Sequence, residues 1–165
     1  MRIAVLGFGQ SFLTWNMTGC LPGAVIYADD RAPYRAWNRA IPVVEKADKI
    51  TQKVVFMDHE EPEISADVVV WSAAPDPASV SRAIEAQHRA NTPFFLVLNG
   101  YAREAGVPWP FPPSFDPVIC IPWDERSVSC HKVGKPLTLR DTAFCARFQP
   151  LWEAIGLVDL GGYGQ

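Results

Sequence analysis

The chain predicts a single-domain α/β fold, a mostly parallel sheet flanked by helices. Three observations predict it. Short apolar runs recur along the sequence, and most are followed by a stretch with helical spacing of apolar residues. The run Asp67-Val68-Val69-Val70-Trp71-Ser72 is apolar throughout its middle, as a strand covered on both faces must be. The residues between runs lack the two-residue turn signals that join antiparallel strands. Strands alternating with helices and without hairpins assemble into a parallel sheet. At 165 residues and 18.3 kDa the chain is sized for one core. The expected division is one domain over residues 1–160 and a loose tail from Gly161 to Gln165.

The elements follow in order. Residues 2–7 read as a buried strand, and Gln10–Met17 as a short helix ended by Gly19 and Pro22. Ala24–Ala28 is a second strand closing on Asp29-Asp30. Asp30 is placed to cap a helix carrying Tyr34, Trp37 and Ile41 on one side, with Pro33 near its first turn. Lys53–Met57 is a third strand ending at Asp58, and the Asp67–Ser72 run is the fourth. Asp76-Pro77 opens a helix to about Asn91, with Val80, Ala83 and Ile84 along one face. Phe94–Leu98 is a fifth strand, stopped by Asn99-Gly100. A proline-rich loop, Pro108–Pro117, precedes a sixth strand at Val118–Ile121 closed by Pro122. From about Arg140 to Ile155 the chain reads as one helix with Phe144, Phe148, Leu151 and Trp152 buried.

Bulk properties exclude several classes. A net charge of −3 argues against a large basic surface, and so against strong direct nucleic-acid binding, and leaves a local basic patch open. No apolar run approaches the roughly 20 residues of a membrane span, and the opening lacks a signal-peptide pattern, so the expectation is a cytoplasmic chain with no membrane contact. Cys20, Cys120, Cys130 and Cys145 show no C-x-x-C pair, and Cys130-His131 has no matching second pair, so the four read as reduced thiols rather than zinc ligands. The three histidines carry no pattern that assigns them catalysis.

In a parallel sheet, ligands sit at the carboxyl ends of the strands. Those ends present Gly7–Ser11, Asp29 and Asp30, Asp58, Ser72–Pro75, Asn99 and Pro122–Asp124. The most informative is Gly7-Phe8-Gly9-Gln10-Ser11, a glycine turn between the first strand and the first helix. Such a turn aims backbone N–H groups at an anion, and the helix dipole adds to the attraction. A phosphate-binding loop also needs a lysine. Gln10 occupies that place and carries no charge.

Ala66–Ser79, then Phe95–Asn99, then Ile121–Glu125 with Gly134-Lys135-Pro136, together spanning about 100 residues from Asp67 onward, resemble the ParA/MinD family of P-loop ATPases, which position plasmids, chromosomes, division sites and other cargo. The run Ala66–Ser79 is similar to that family's strand and helix after the Walker B region. Phe95-Leu96-Val97-Leu98-Asn99 resembles its strand ending in the asparagine that reads adenine. Ile121-Pro122-Trp123-Asp124-Glu125, followed by Gly134-Lys135-Pro136, resembles its segment from Ile-Pro to Gly-x-Pro. The same pattern sets Gly7, Gly9, Gln10 and Ser11 on the Walker A core, Asp29 on the second strand and Asp58 on Walker B. Here the sequence departs from the family. Both signature lysines are missing, and the intervals from Asp30 to Asp58 and from Asp58 to Asp67 are short.

The resemblance therefore implies a reduced P-loop NTPase-like fold without hydrolysis. Phosphoryl transfer rests on positive charge around the phosphates, and such electrostatic contributions are worth several kcal/mol. The implied role is a non-hydrolysing accessory factor in partition, positioning or assembly. Its site residues would be Gly7, Gly9, Gln10, Ser11, Asp29, Asp58, Asn99, Pro122 and Asp124, with no catalytic residue. No cofactor is required by this reading, which leaves room for residual binding of ATP or ADP with Mg²⁺, Ser11 on the ion and Asp58 behind it. Relatives dimerise over their nucleotides, which implies a homodimer. The alternative is a heteromeric protein partner, for which Trp109, Phe111 and Trp123 are candidate anchors.

Rival readings stay open. Gly7-x-Gly9 after a strand, with Asp29 twenty residues beyond Gly9, also fits a Rossmann dinucleotide site in a small oxidoreductase, although Phe12 stands at the third glycine position. Gly7 and Gly9 fit a purely structural turn as well. Asp29 and Asp58 fit solvated strand ends, and Asn99-Gly100 fits an ordinary turn pair.

Overall fold

The computed structural model describes residues 1–29, 33–36, 41–101 and 115–157. Among the described residues seven strands form one sheet: β1 (Arg2–Gly7), β2 (Val25–Ala28), β3 (Val43–Val44), β4 (Val55–Asp58), β5 (Val68–Ala73), β6 (Phe94–Tyr101) and β7 (Val118–Pro122). Their order is β3-β2-β4-β1-β5-β6-β7 and every pairing is parallel. The helices are α1 (Gln10–Cys20), α2 (Pro77–Arg89), α3 (Glu125–Val133), α4 (Thr142–Ala146) and α5 (Gln149–Ala154). The α/β class with a parallel sheet flanked by helices is thus the observed one. Among the described residues no helix is long and apolar enough to cross a membrane.

Both faces of the sheet are covered, for the reason its strands are apolar. On one face Ile3, Val5, Phe56, Val70, Val97 and Ile119 meet Leu13 and Met17 of α1 and Phe144, Phe148, Leu151 and Trp152 of the C-terminal helices. On the other, Val80 and Ala83 of α2 pack on Leu96 and Leu98. Beyond them Ala47, Ile50, Ile64 and Ala66 cover Val25, Tyr27, Val55 and Met57. The Asp76 side chain accepts from the Ser79 N–H at 2.8 Å and so caps α2, with Pro77 at its first turn.

Several boundaries differ from the sequence reading, each for a local reason. Helix α1 runs through Gly19 to Cys20. Gly19 does not stop it, because the glycine is where the 137–139 turn packs: a Cβ there would lie 2.2 Å from Thr138 Oγ1 and 2.8 Å from the Pro136 ring. The helix carries three buried polar residues, and two, Thr14 and Thr18, donate to the carbonyls of Gln10 and Thr14, each at 2.7 Å. The turn at Asn99-Gly100 is absent; β6 continues to Tyr101 through a register shift, with Gly100 at a φ of 84°. The expected C-terminal helix is two helices, broken at Arg147-Phe148, with α4 capped by Asp141 and Pro150 in the first turn of α5. Residues 33–36 form a short 3₁₀ turn, and β3 and α3 are additions. The cap at Asp30, the Trp37 position, the proline-rich stretch with Trp109 and Phe111, and the tail from 161 lie outside the described residues.

The topology fixes where a ligand would sit. Helix α1 leaves β1 on one face toward β2, and α2 leaves β5 on the opposite face toward β6. β1 and β5 are neighbours, so the chain diverges between their carboxyl ends, the switch point of an open parallel sheet.

Candidate functional site

Two residues, Phe8 and Gly9, connect β1 to α1. The connection is this tight because Gly7 and Gly9 both take positive φ, 96° and 61°. Gly7 leaves no room for a side chain, since a Cβ would stand 2.2 Å from the Ser72 carbonyl oxygen. The turn is stitched to β5 from both sides. Phe8 N–H donates to Ser72 O at 2.8 Å, and the Ser72 hydroxyl donates back to the Phe8 carbonyl. Ser72 is fully buried, and Asn99 Nδ2 donates to its Oγ at 3.5 Å. The ends of β1, β5 and β6 are therefore joined through one serine.

On the other side of the turn lies a second cluster. Ser11 Oγ donates to Asp58 Oδ2 at 2.6 Å, and Tyr34 OH donates to the same oxygen, also at 2.6 Å. The Tyr34 oxygen is also 3.3 Å from the Ser11 carbonyl. Burial first, and then the Asp58 charge and hydrogen bond, push the Tyr34 phenol well above its ordinary range, so its proton stays in place to be donated. Charge-assisted bonds of this length are among the stronger ones in proteins.

A cleft of about 310 Å³ opens beside the turn, toward the β7–α3 loop. Phe8, Phe12, Ile121, Pro122, Trp123 and Val128 give it apolar walls; Gly9, Asn99, Asp124 and Ser127 supply its polar points. The Asp124 carboxylate is already engaged by Arg126, through Nη2 at 2.7 Å, Nε at 3.1 Å and the backbone N–H at 3.0 Å. The Arg126 hydrogen bond holds that carboxyl below the usual range. Arg126 also reaches Asp141 at 2.7 Å. Ser127 Oγ is buried and makes no hydrogen bond among the described residues.

The nine expected site residues thus fall into groups. Gly9, Asn99, Pro122 and Asp124 line the cleft. Gly7 is locked against Ser72, Gln10 opens α1, and Ser11 meets Asp58. Asp29 stands apart. It ends the β2 side, two strands from β1, and accepts from the Glu60 N–H at 3.3 Å. Tyr34 and Ser72 carry the hydrogen bonding at the site and were missed as site residues. Ser72 was signalled by a hydroxyl closing an apolar strand. Tyr34 had no such signal, because it reads as a packing residue.

Mg²⁺ is a poor fit to Asp58 Oδ2 as a direct ligand. The cation needs oxygen lone pairs in near-octahedral array, whereas Asp58 Oδ2 accepts two hydroxyl protons. Among the described residues no group of three or more His, Cys, Asp or Glu side chains is arranged to hold a metal. No protein-family model matches the chain, and a search of curated proteins finds no significant match.

Proposed function

We propose that this protein is a non-hydrolysing, ParA/MinD-like accessory factor in the partition, positioning or assembly of a cellular cargo, acting through protein contacts. One observation carries the reading: the 2.6 Å bond between Ser11, on the second residue of the helix after the glycine turn, and Asp58, closing the adjacent strand. A hydroxyl and a carboxylate in those positions are the pair by which P-loop proteins organise the phosphate end of a nucleotide. Gln10 beside them supplies no positive charge, so the pair remains while the means of cleavage is gone. The apolar cleft next to Asn99 has room for the base of an adenine nucleotide, which is the residual binding this reading allows. Phe8 and Trp123 flank it at 60% and 65% exposure and are the anchors for a second copy or a heteromeric partner.

Isothermal titration with ATP and ADP, paired with a phosphate-release assay, tests the proposal. Turnover at the rate of an ordinary ATPase, lost in Gln10→Ala, would overturn it. Sedimentation of the chain alone and with candidate partners tests the contact.

The second reading, a small dinucleotide-dependent oxidoreductase, draws support from the shortness of the β1–α1 connection. One residue separates Gly7 from Gly9, as in a dinucleotide turn, where a P-loop has four between its glycines. Against it, β4 lies between β1 and β2, whereas the dinucleotide fold sets the strand bearing the ribose acid directly beside β1. At about 4.8 Å per strand, Asp29 is displaced by roughly one extra strand width. Quenching of NADH and NADPH fluorescence discriminates; absence of binding by either removes this alternative.

A further inference from the structure

We propose that the Tyr34 hydroxyl takes the place of a divalent cation at the β1–α1 turn, so that Ser11, Asp58 and Tyr34 form a closed clasp that works without metal. A carboxylate at a strand end beside a serine on a helix's first turn is half of a cation site. What completes such a site is a positive charge facing the carboxylate. Here the positive end of the phenol O–H dipole faces it, at 2.6 Å, alongside the Ser11 hydroxyl at the same distance.

The phenol is not a casual neighbour. Tyr34 is 2% exposed and belongs to a small core with Trp15, Ile26, Ala28 and Ile41. Its ring stacks against that of Trp15, with centroids 6.4 Å apart. A cation ligated directly by Asp58 Oδ2 would have to displace the Tyr34 hydroxyl, whose ring is held in this packing, and a magnesium-type ion also needs the volume of the waters it keeps. The hydroxyl also sits 3.3 Å from the Ser11 carbonyl, so one side chain ties the residues after β2 to the first turn of α1 and the end of β4. In a metal-dependent site the ion makes those ties, and they come and go with it. In this chain the phenol makes them. The inference is independent of nucleotide binding, since it concerns the three side chains alone.

The test uses the full chain and Mn²⁺ as the probe, with no nucleotide present. Free Mn²⁺ is followed by electron paramagnetic resonance, and its location by selective broadening of backbone amide signals. The wild type should leave the Ser11 and Asp58 amides unbroadened up to about 1 mM Mn²⁺, the weak end for oxygen-ligand sites. Tyr34→Phe removes the hydroxyl and should gain affinity by about tenfold or more, the scale on which groups around a site tune metal binding. Adding Asp58→Asn to that variant should abolish the gain. A folded Tyr34→Phe protein with no gain would overturn the proposal. So would selective sub-millimolar broadening of Ser11 and Asp58 in the wild type, a measurement that stands even if the variant fails to fold.

Discussion

Gly7 and Ser72 approach so closely that a methyl group on Gly7 would lie 2.2 Å from the Ser72 carbonyl oxygen. The contact is with backbone, at the carboxyl end of a parallel ladder that pairs the two residues directly. Neither side can rotate away. Gly7→Ala should therefore destabilise the fold by about 2–4 kcal/mol, adding the strain of a positive φ to overpacking. Gly9→Ala meets only Asn99 Nδ2 at 3.4 Å, so it should cost about 1–2 kcal/mol from its left-handed backbone alone. Urea unfolding of both variants checks the ranking.

The Tyr34–Asp58 bond gives stability a direction at high pH. The phenol's folded value is raised above its unfolded value of 10.0. A group raised on folding contributes fully below the unfolded value and loses that contribution as pH climbs through the folded one. Stability should thus fall above pH 10.0, and Tyr34→Phe should flatten part of that slope. At neutral pH the same variant should lose about 1–3 kcal/mol, because a half-buried carboxylate oxygen is deprived of a donor. Thermal melts of wild type and variant across neutral and alkaline pH give both quantities, and the difference between the two proteins cancels the other thiols and phenols.

Gly19→Ala sets two opposed effects against each other. Alanine is the better helix former by about 1 kcal/mol. The added methyl would meet the Pro136 ring at 2.8 Å and displace Thr138, whose hydroxyl donates to the Asn16 carbonyl at 2.6 Å. Overpacking costs about 1–3 kcal/mol and the lost bond about 1 kcal/mol more. The clash should win, with a net loss of about 1–3 kcal/mol, and chemical denaturation would show it.

These cases also mark what could be read from the chain. The parallel sheet was legible because β5 and β6 are continuous apolar runs, and because Asp58 and Ser72 are polar residues closing such runs. The order of strands was not. Nothing in a run of valines says that β4 inserts between β1 and β2, since both neighbours offer the same apolar faces. Gly19 looked like a helix stop and is a packing site, a distinction that depends on residues 136–138, far away in sequence. Asn99-Gly100 has turn chemistry, yet pairing with β7 carries the strand through it. In the site, Ser11, Asp58 and Asn99 could be named from their positions after apolar runs. Tyr34 could not, because its role comes from a hydroxyl brought 24 residues along the chain to Asp58.

The Gln10 position invites a restoration experiment. Gln10→Lys would return a positive charge to the first residue of α1. The Phe8 N–H, however, already donates to Ser72 O, and only Phe8 and Gly9 connect strand to helix. A lysine alone cannot rebuild a cradle that needs several free N–H groups and a longer loop. The variant should tighten binding of ATP over wild type through charge attraction and still release no phosphate above background. Paired titration and phosphate-release measurements test this, and turnover in Gln10→Lys would show that the missing lysine was the sole deficit.

Arg126 links the cleft to the C-terminal helices by bonding Asp124 and Asp141 together, and acid should undo the link. Asp141 is held below its ordinary value of 3.8 first by the Phe144 N–H it caps and then by Arg126. Asp124 is held down first by Arg126. A carboxyl lowered on folding contributes above its unfolded value, and the contribution disappears as pH falls through the folded one. Stability should therefore drop as pH falls below 3.8, and part of that drop should vanish in Arg126→Ala. The guanidinium is exposed, so the effect should shrink in high salt. Asp141→Ala should go further than Arg126→Ala, because it removes the cap at the start of α4 as well as the ion pair. Melting curves at neutral and acid pH, each at low and high ionic strength, separate the cap from the charge: the cap's share persists in salt and the ion pair's does not.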